Sequence, residues 1–339
     1  IIACPCAIAL AAPFTLGNML RILGKKKFYL KNATVVEQLA AIDSVIFDKT
    51  GTLTTSKENQ IDYKGSELNS KEKSILKSSL RASNHPLSRV LYNSLTQEML
   101  TVDNFKEYTG KGIEANYQQI KIKAGSSSFV KNEKEEINLD TSVHISINNK
   151  YRGKFIFKNA YRNGVKSLFS DLKTDYNLAV VSGDNEGEKK YLEKLLPKNT
   201  TFLFNQKPED KLSYIEELQQ KNENVIMVGD GLNDAGALAQ SNVGIALSEN
   251  INVFSPACDA ILDASKFNQI SSYIKASKKA IQIIKYSFIL SLCYNLIGLY
   301  FATTGQLKPV IAAILMPLSS ISIVVFTTVA TNLIGKKIK

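Results

Sequence analysis

Three stretches of this 339-residue chain carry no charged side chain: residues 1–20, 286–307 and 309–335. An apolar run of about 20 residues is long enough to cross the hydrocarbon core of a bilayer as a helix, the form that satisfies its own backbone there. Between the first run and the second lies a charged stretch of soluble character. The chain therefore reads as a soluble head inserted between membrane helices, and its length points to two or three domains. Arg21, Lys25, Lys26 and Lys27 follow the first run, Lys275, Lys278, Lys279 and Lys285 precede the second, and Lys336, Lys337 and Lys339 follow the last. This positive-inside pattern predicts that the head and the C-terminus are cytoplasmic. The net charge of +11 needs no nucleic acid to explain it, and no basic-aromatic stripe or finger spacing accompanies it.

The start at Ile1 has neither an initiator Met nor the basic region of a signal peptide. Residues 1–24 are expected to be part of a membrane helix, broken at Pro5 and Pro13, in a chain with sequence missing upstream. Of the four cysteines, Cys4, Cys6 and Cys293 lie in apolar runs, so Cys258 alone remains in the head and no disulfide framework is expected.

In the head, residues 42–48 read as a buried strand ending in an acid. Further apolar strands are expected at 178–182, 224–228 and 243–247, with helices at roughly 186–196, 208–221 and 233–240. All-apolar strands alternating with helices form a parallel sheet covered on both faces. Residues 56–160 are polar, with alternating stretches at 117–123 and 143–147, and predict an α+β insert built on an antiparallel sheet. The fold class is thus α/β: a Rossmann-type parallel sheet from residues 25–55 and 161–270, an inserted domain at 56–160, and membrane helices at 1–24, 278–307 and 309–335.

Asp48, Asp184 and Asp230 each directly follow an apolar strand. Open parallel sheets bind ligands at the carboxyl ends of their strands, so the three acids should converge. The densest chemistry lies in Asp48-Lys49-Thr50-Gly51-Thr52-Leu53-Thr54. A carboxylate can attack the terminal phosphorus of ATP to form an acyl phosphate. The developing charge calls for Mg²⁺ and a nearby cation. Gly51 permits a sharp turn behind the nucleophile, and Thr50 and Thr52 offer donors to phosphate oxygens.

This heptapeptide resembles the phosphorylation signature of P-type ATPases, whose head has the haloacid-dehalogenase-like fold. The resemblance implies that Lys49, Thr50 and Thr52 share the catalytic segment with the nucleophile Asp48. Ser182-Gly183-Asp184 resembles the family's Thr-Gly-Asp loop. Pro208-Glu209-Asp210-Lys211 resembles the segment whose lysine neutralises the phosphoryl group, which assigns that role to Lys211, with Lys207 a nearby rival. Gly229-Asp230-Gly231-Leu232-Asn233-Asp234 resembles the magnesium loop. It implies Mg²⁺ at Asp48, Thr50 and Asp230, oriented by Asn233 and Asp234. In the insert, Ser83-Asn84-His85-Pro86-Leu87 resembles the heavy-metal pumps' Ser-x-His-Pro-Leu, so His85 and Pro86 are expected to hold ATP. Gly110-Lys111-Gly112 fits the family's Gly-x-Gly, with Gly110 and Gly112 beside the nucleotide. One departure stands out: Leu80 occupies the position where the family carries a glutamate, and no acid lies between Lys73 and His85.

Cys4-Pro5-Cys6 resembles the hallmark of heavy-metal P-type ATPases. A proline opens a helix backbone, and two thiolates beside the break suit a soft ion such as Cu(I) or Zn(II). Tyr294, Asn295, Met316, Ser319 and Ser320 in the last two runs resemble the copper-type set; the same side chains could also simply glue helices together. Zinc and cadmium pumps carry ionised groups here, whereas the last acid of this chain is Asp263. The expected function is ATP-driven export of Cu(I) or Ag(I) from the cytoplasm across the plasma membrane. The rivals are a zinc or cadmium pump, a membrane-tethered phosphatase, and a non-catalytic metal regulator. The expected partners are the bilayer, upstream membrane helices, an actuator domain with a Thr-Gly-Glu loop that this chain lacks, and a cytosolic copper chaperone; nucleic acid is not expected.

Overall fold

The computed structural model of the protein describes residues 6–83, 85–108, 110–131, 141–231, 234–249, 258–306 and 308–338. It divides into two compact units, one of Ile1–Leu53, Arg162–Asp184 and Tyr191–Lys339, the other of Thr54–Tyr161 and Asn185–Lys190.

The first unit holds a seven-stranded sheet. From edge to edge the strands are Phe28–Leu30, Ala260–Asp263, Val243–Ser248, Val225–Gly229, Ser44–Asp48, Asn177–Val181 and Thr200–Leu203. All pairs are parallel except the edge pair made by Phe28–Leu30. Ser44–Asp48 and Val225–Gly229 are buried at every position, as strands covered on both faces must be. On one face Ile46, Val181 and Met227 pack with Ile215, Ala237 and Leu238 from helices Pro208–Gln220 and Ala235–Gln240. On the other, the Phe47 ring lies 4.8 Å from Phe169 and 6.0 Å from Phe267.

Pairing Asp48 with Val181 and Phe47 with Val228 brings three strand ends to one edge. The chain leaves Ser44–Asp48 for the strands on one side of it and later returns to those on the other. That reversal of strand order marks where an open α/β sheet binds its ligand.

The same unit carries three helices that touch one another, Cys6–Lys25, Ile270–Thr303 and Pro309–Lys337. Two spans, Ala264–Thr303 and Ala313–Lys337, are long and apolar enough to cross a membrane. Their large apolar side chains face outward: Tyr300 is 63 % and Ile314 61 % exposed. A continuous apolar surface of this kind suits lipid better than water. Helix Ile270–Thr303 begins earlier than the expected 278 because its first turns belong to the head. Tyr273 is buried, stacks on Phe28 at 4.8 Å and donates to the Lys26 carbonyl at 2.8 Å.

The helix at the N-terminal end does not break at Pro13, which lies inside Cys6–Lys25. A proline removes one backbone bond, a loss that a helix packed against neighbours tolerates; Cys6–Lys25 packs against both other helices. The expected break at Pro5 lies outside the described residues. Asn18 donates to Thr331, and Arg21 to Asn332 at 2.8 Å, tying this helix to Pro309–Lys337.

The second unit is a six-stranded sheet, antiparallel throughout, with helices Ser70–Leu80, Pro86–Ser94 and Ser127–Lys131. The alternation at 117–123 is not one strand. Gln118 adopts φ +54°, and the chain reverses between Gly112–Tyr117 and Ile120–Gly125. The period-2 pattern ran across a hairpin turn that lacks Gly, Asn or Pro. The helix expected at 186–196 is a 3₁₀ turn at Glu186–Glu188 followed by Lys189–Leu195.

Truncating Phe47 would leave a void between two aromatic neighbours beside the central strand. Phe47→Ala is expected to lower unfolding stability by about 3–5 kcal/mol in denaturant titrations followed by circular dichroism.

Candidate active site and nucleotide cavity

Asp48 ends the central strand and is 4 % exposed. An ionised carboxylate so buried needs a partner. The Lys211 ammonium provides it, 2.6 Å from Asp48 Oδ1 and 2.6 Å from Asp234 Oδ1. Lys211 stands on the first turn of Pro208–Gln220, where its long stem reaches the strand ends. Lys207 is exposed at the cap of the same helix, its backbone N–H donating to Asp210.

Burial and the nearby Asp234 charge push the Asp48 carboxyl up to about 7, against the pull of Lys211. Burial also raises Asp234. Burial alone would lower Lys211, but the two carboxylates overcome it and hold its ammonium above the ordinary range.

Lys49, buried behind the nucleophile, pairs with Asp184 at 2.8 Å, and Thr50 donates to the same Asp184 oxygen at 2.8 Å. Burial works against ionising Asp184, yet these two donors outweigh it and hold the carboxyl below its usual range. The Ser182 hydroxyl is buried and accepts the Asp184 backbone N–H at 3.1 Å. Gly183 lies close under the Gln206 carbonyl, which an added Cβ would meet at 3.3 Å. Gly51 turns at φ +79° with its open face 3.5 Å from the Asp230 carboxylate. Thr52 is fully buried, and its hydroxyl lacks a hydrogen-bond partner among the described residues. Asn233 lies outside the described residues.

Sequence reading overlooked Arg162. Its side chain donates to the carbonyls of Thr52 at 2.7 Å and Gly51 at 2.9 Å, and pairs with Glu249 at 2.6 Å. It thereby holds the turn behind Asp48 from residues far away in the chain, a role with no local sequence signal.

Among the described residues, no three His, Cys, Asp or Glu side chains converge to hold a metal ion. Mg²⁺ does not require that, since it takes one or two carboxylates with phosphate and water. The donor set fits it: Asp48 and Asp230 are hard oxygen ligands at neighbouring strand ends, and the Asp234 carboxylate lies close enough to both to raise their shared charge. Three carboxylates share this corner with the Lys211 charge, leaving an anionic excess for a divalent cation to neutralise.

The second unit contains a cavity of about 700 Å³ whose lining includes Ser83, His85, Glu107, Gly110, Lys111 and Gly112. Pro86 opens helix Pro86–Ser94, and His85 caps it by accepting the Leu87 N–H at Nδ1, 3.3 Å away. That bond leaves Nε2 as the protonated, donating nitrogen of a neutral ring. Gly110 adopts φ +71° with open space where a Cβ would stand. Gly112 has a structural reason to be glycine: a Cβ would come within 2.3 Å of the Ala124 carbonyl on the paired strand. Leu80 is buried on the cavity wall, and the acid of the cavity is Glu107.

In the last two helices, Tyr294 is exposed and Asn295 half-buried on Ile270–Thr303, with Ser319 and Ser320 half-buried on Pro309–Lys337. Cys4 and the side chains of Cys6 and Met316 lie outside the described residues.

The raised Asp48 carboxyl sets a pH dependence. The fold binds that proton more tightly than the unfolded chain, whose carboxyl titrates near 3.8. The associated stability is complete below about pH 4 and is lost as pH rises through about 7. Without Mg²⁺, unfolding free energy is expected to fall across that window, and Asp48→Asn to flatten the slope. Lys211→Met should destabilise by about 3–5 kcal/mol at pH 8, by stranding the carboxylates, and by much less at pH 5.

The chain matches the haloacid dehalogenase-like hydrolase family over residues 42–242. It is 31 % identical over 341 aligned residues to a copper-exporting P-type ATPase of Staphylococcus saprophyticus, covering 96 % of this chain and 42 % of that protein. It thus spans less than half the length of that relative. A zinc-transporting PIB-type ATPase in its E2.Pi state superposes with TM-score 0.85 at 21 % identity, over 97 % of this chain and 56 % of the other, a likeness of fold. The catalytic domain of the CPx-ATPase CopB-B superposes with TM-score 0.61 at 27 % identity, over 76 % of this chain and 98 % of that one. The buried aspartate at the carboxyl edge of the sheet and the match that surrounds it place the chain in the haloacid dehalogenase-like hydrolase family, with its likeness to heavy-metal P-type ATPases running over nearly its whole length.

Proposed function

We propose that this chain is the catalytic and C-terminal membrane part of an ATP-driven pump that exports Cu(I) or Ag(I) through an acyl phosphate on Asp48. The observation that carries the reading is the Lys211 ammonium set 2.6 Å from both Asp48 and Asp234 at the edge of the sheet, in a chain with two outward-facing apolar spans.

The cavity around His85 and Lys111 holds the nucleotide. An Asp48 oxygen attacks the terminal phosphorus; the new P–O bond forms as the bond to the bridging oxygen breaks, and ADP leaves. Lys211 offsets the charge on the transferred group, the unpartnered Thr52 hydroxyl is a donor for its oxygens, and Asp184 is held beside them by Lys49 and Thr50. Mg²⁺, held by Asp48, Thr50 and Asp230, supplies charge neutralisation on the phosphates when bound. Hydrolysis of the acyl phosphate falls to an actuator domain elsewhere in the protein.

For the cargo, Cys4, Cys6 and Met316 are soft ligands, and Tyr294, Asn295, Ser319 and Ser320 complete the set that the resemblance implies. Two thiolates and a thioether suit a soft ion such as Cu(I), whereas pumps of the zinc class are expected to carry an ionised group in the last helices. Neither of the last two apolar runs contains one. The copper reading agrees with the name of the staphylococcal relative, and the zinc alternative with that of one structural neighbour. The lysines flanking the spans favour a cytoplasmic head and C-terminus in the plasma membrane. A cytosolic copper chaperone is the natural donor of the ion.

Asp48→Asn is expected to abolish acid-stable labelling of the protein by radiolabelled ATP; persistent labelling would move the nucleophile elsewhere. For the cargo, ATPase activity of the full-length protein in detergent should rise with Cu(I) or Ag(I). Cys4→Ser should remove at least nine-tenths of that rise. Activation by Zn(II) alone would assign the cargo to the zinc class.

A further inference from the structure

The cavity of the second unit pairs apolar walls from Leu80, Ile113 and Val143 with one carboxylate among the described residues, that of Glu107. Ser83 fixes this group. Fully buried, its hydroxyl donates to Glu107 Oε1 at 2.6 Å and accepts the His85 backbone N–H at 3.2 Å. A hydroxyl has one proton, and here it is committed to Glu107. The other carboxylate oxygen has no hydrogen bond among the described residues. Glu107 therefore presents a pinned acceptor to whatever enters. An ionised carboxylate accepts and does not donate, so a ligand must bring an N–H or O–H to that spot or leave a charge desolvated and unpaired.

We propose that Glu107 determines base specificity in this cavity by accepting a hydrogen bond from the exocyclic amino group of adenine, with Ser83 as its positioning residue. This rests on the reading of the cavity as the ATP site. Adenine suits the site in both respects: its faces are flat and apolar, and its 6-amino group is a donor. Hypoxanthine places a carbonyl at the same position, and two acceptors there repel.

The test is calorimetric binding of ATP, of purine riboside triphosphate, which lacks the 6-amino group, and of ITP to the full chain in detergent. The wild type is expected to bind ATP about tenfold to a hundredfold more tightly than either analogue, the range for a hydrogen bond to a charged acceptor. Glu107→Gln and Glu107→Ala should bring the ratio to about one, and Ser83→Ala should narrow it while leaving ATP bound. A wild-type ratio near one, or a ratio that persists in both Glu107 variants, overturns the assignment. So does GTP binding more tightly than ATP with a dependence on Glu107, because the carboxylate would then be reading a guanine edge. His85→Ala and Lys111→Ala separate the two levels. If ATP affinity falls in both while the ratio survives Glu107→Ala as well as Glu107→Gln, the cavity reading stands and the Glu107 assignment falls. If neither variant changes ATP affinity, the cavity is not the ATP site and both fall.

Discussion

One ammonium between two buried carboxylates organises the active site. Without Lys211, Asp48 and Asp234 would face each other in a poorly solvated corner, and burial would drive both to the neutral form. With it, Asp48 is drawn back towards ionisation but not all the way, and its carboxyl rests near 7. A nucleophile balanced at that point is ionised once a divalent cation binds beside it. The rest of the unit serves to deliver that ammonium. Helix Pro208–Gln220 must lie on the sheet through Ile215, and helix Ala235–Gln240 must start where Asp234 faces it.

The turn after Asp48 is the second constraint. Chain that reverses directly behind a buried strand end leaves backbone carbonyls to satisfy. Gly51 supplies the left-handed turn, and Arg162 supplies the donors for the carbonyls of Gly51 and Thr52. Glu249 in turn pairs with the arginine. The nucleophile loop is thus held from the end of the 243–248 strand and from the segment that follows the inserted domain.

In the inserted unit, functional and structural demands on the same residue types come apart. Gly110 faces open space in the cavity, while Gly112 is small because a neighbouring strand passes too close for a side chain. His85 both caps a helix and lines the cavity, so its ring tautomer is set by the fold. Leu80 belongs to the apolar wall, and the acid is supplied by Glu107 from another strand.

Much of this was legible along the chain. Buried parallel strands announce themselves as short all-apolar runs, and spans that face lipid as long uncharged ones, because burial and the bilayer each exclude charge without regard to context. Asp48, Asp184 and Asp230 were readable because each lies at or just beyond the end of such a strand. The edge strand Phe28–Leu30 and the reversal at Gln118 carried no comparable pattern. Composition and periodicity determined the layers and spans and the strand ends that bear acids. Tertiary structure alone decided that Lys211, the lysine the resemblance favoured, bridges Asp48 to Asp234, that Arg162 holds the nucleophile turn, and that Ser83 aims Glu107. Each is a contact between residues at least 23 positions apart, and side-chain reach across a packed sheet is set by helix placement and register, which no local stretch of sequence encodes.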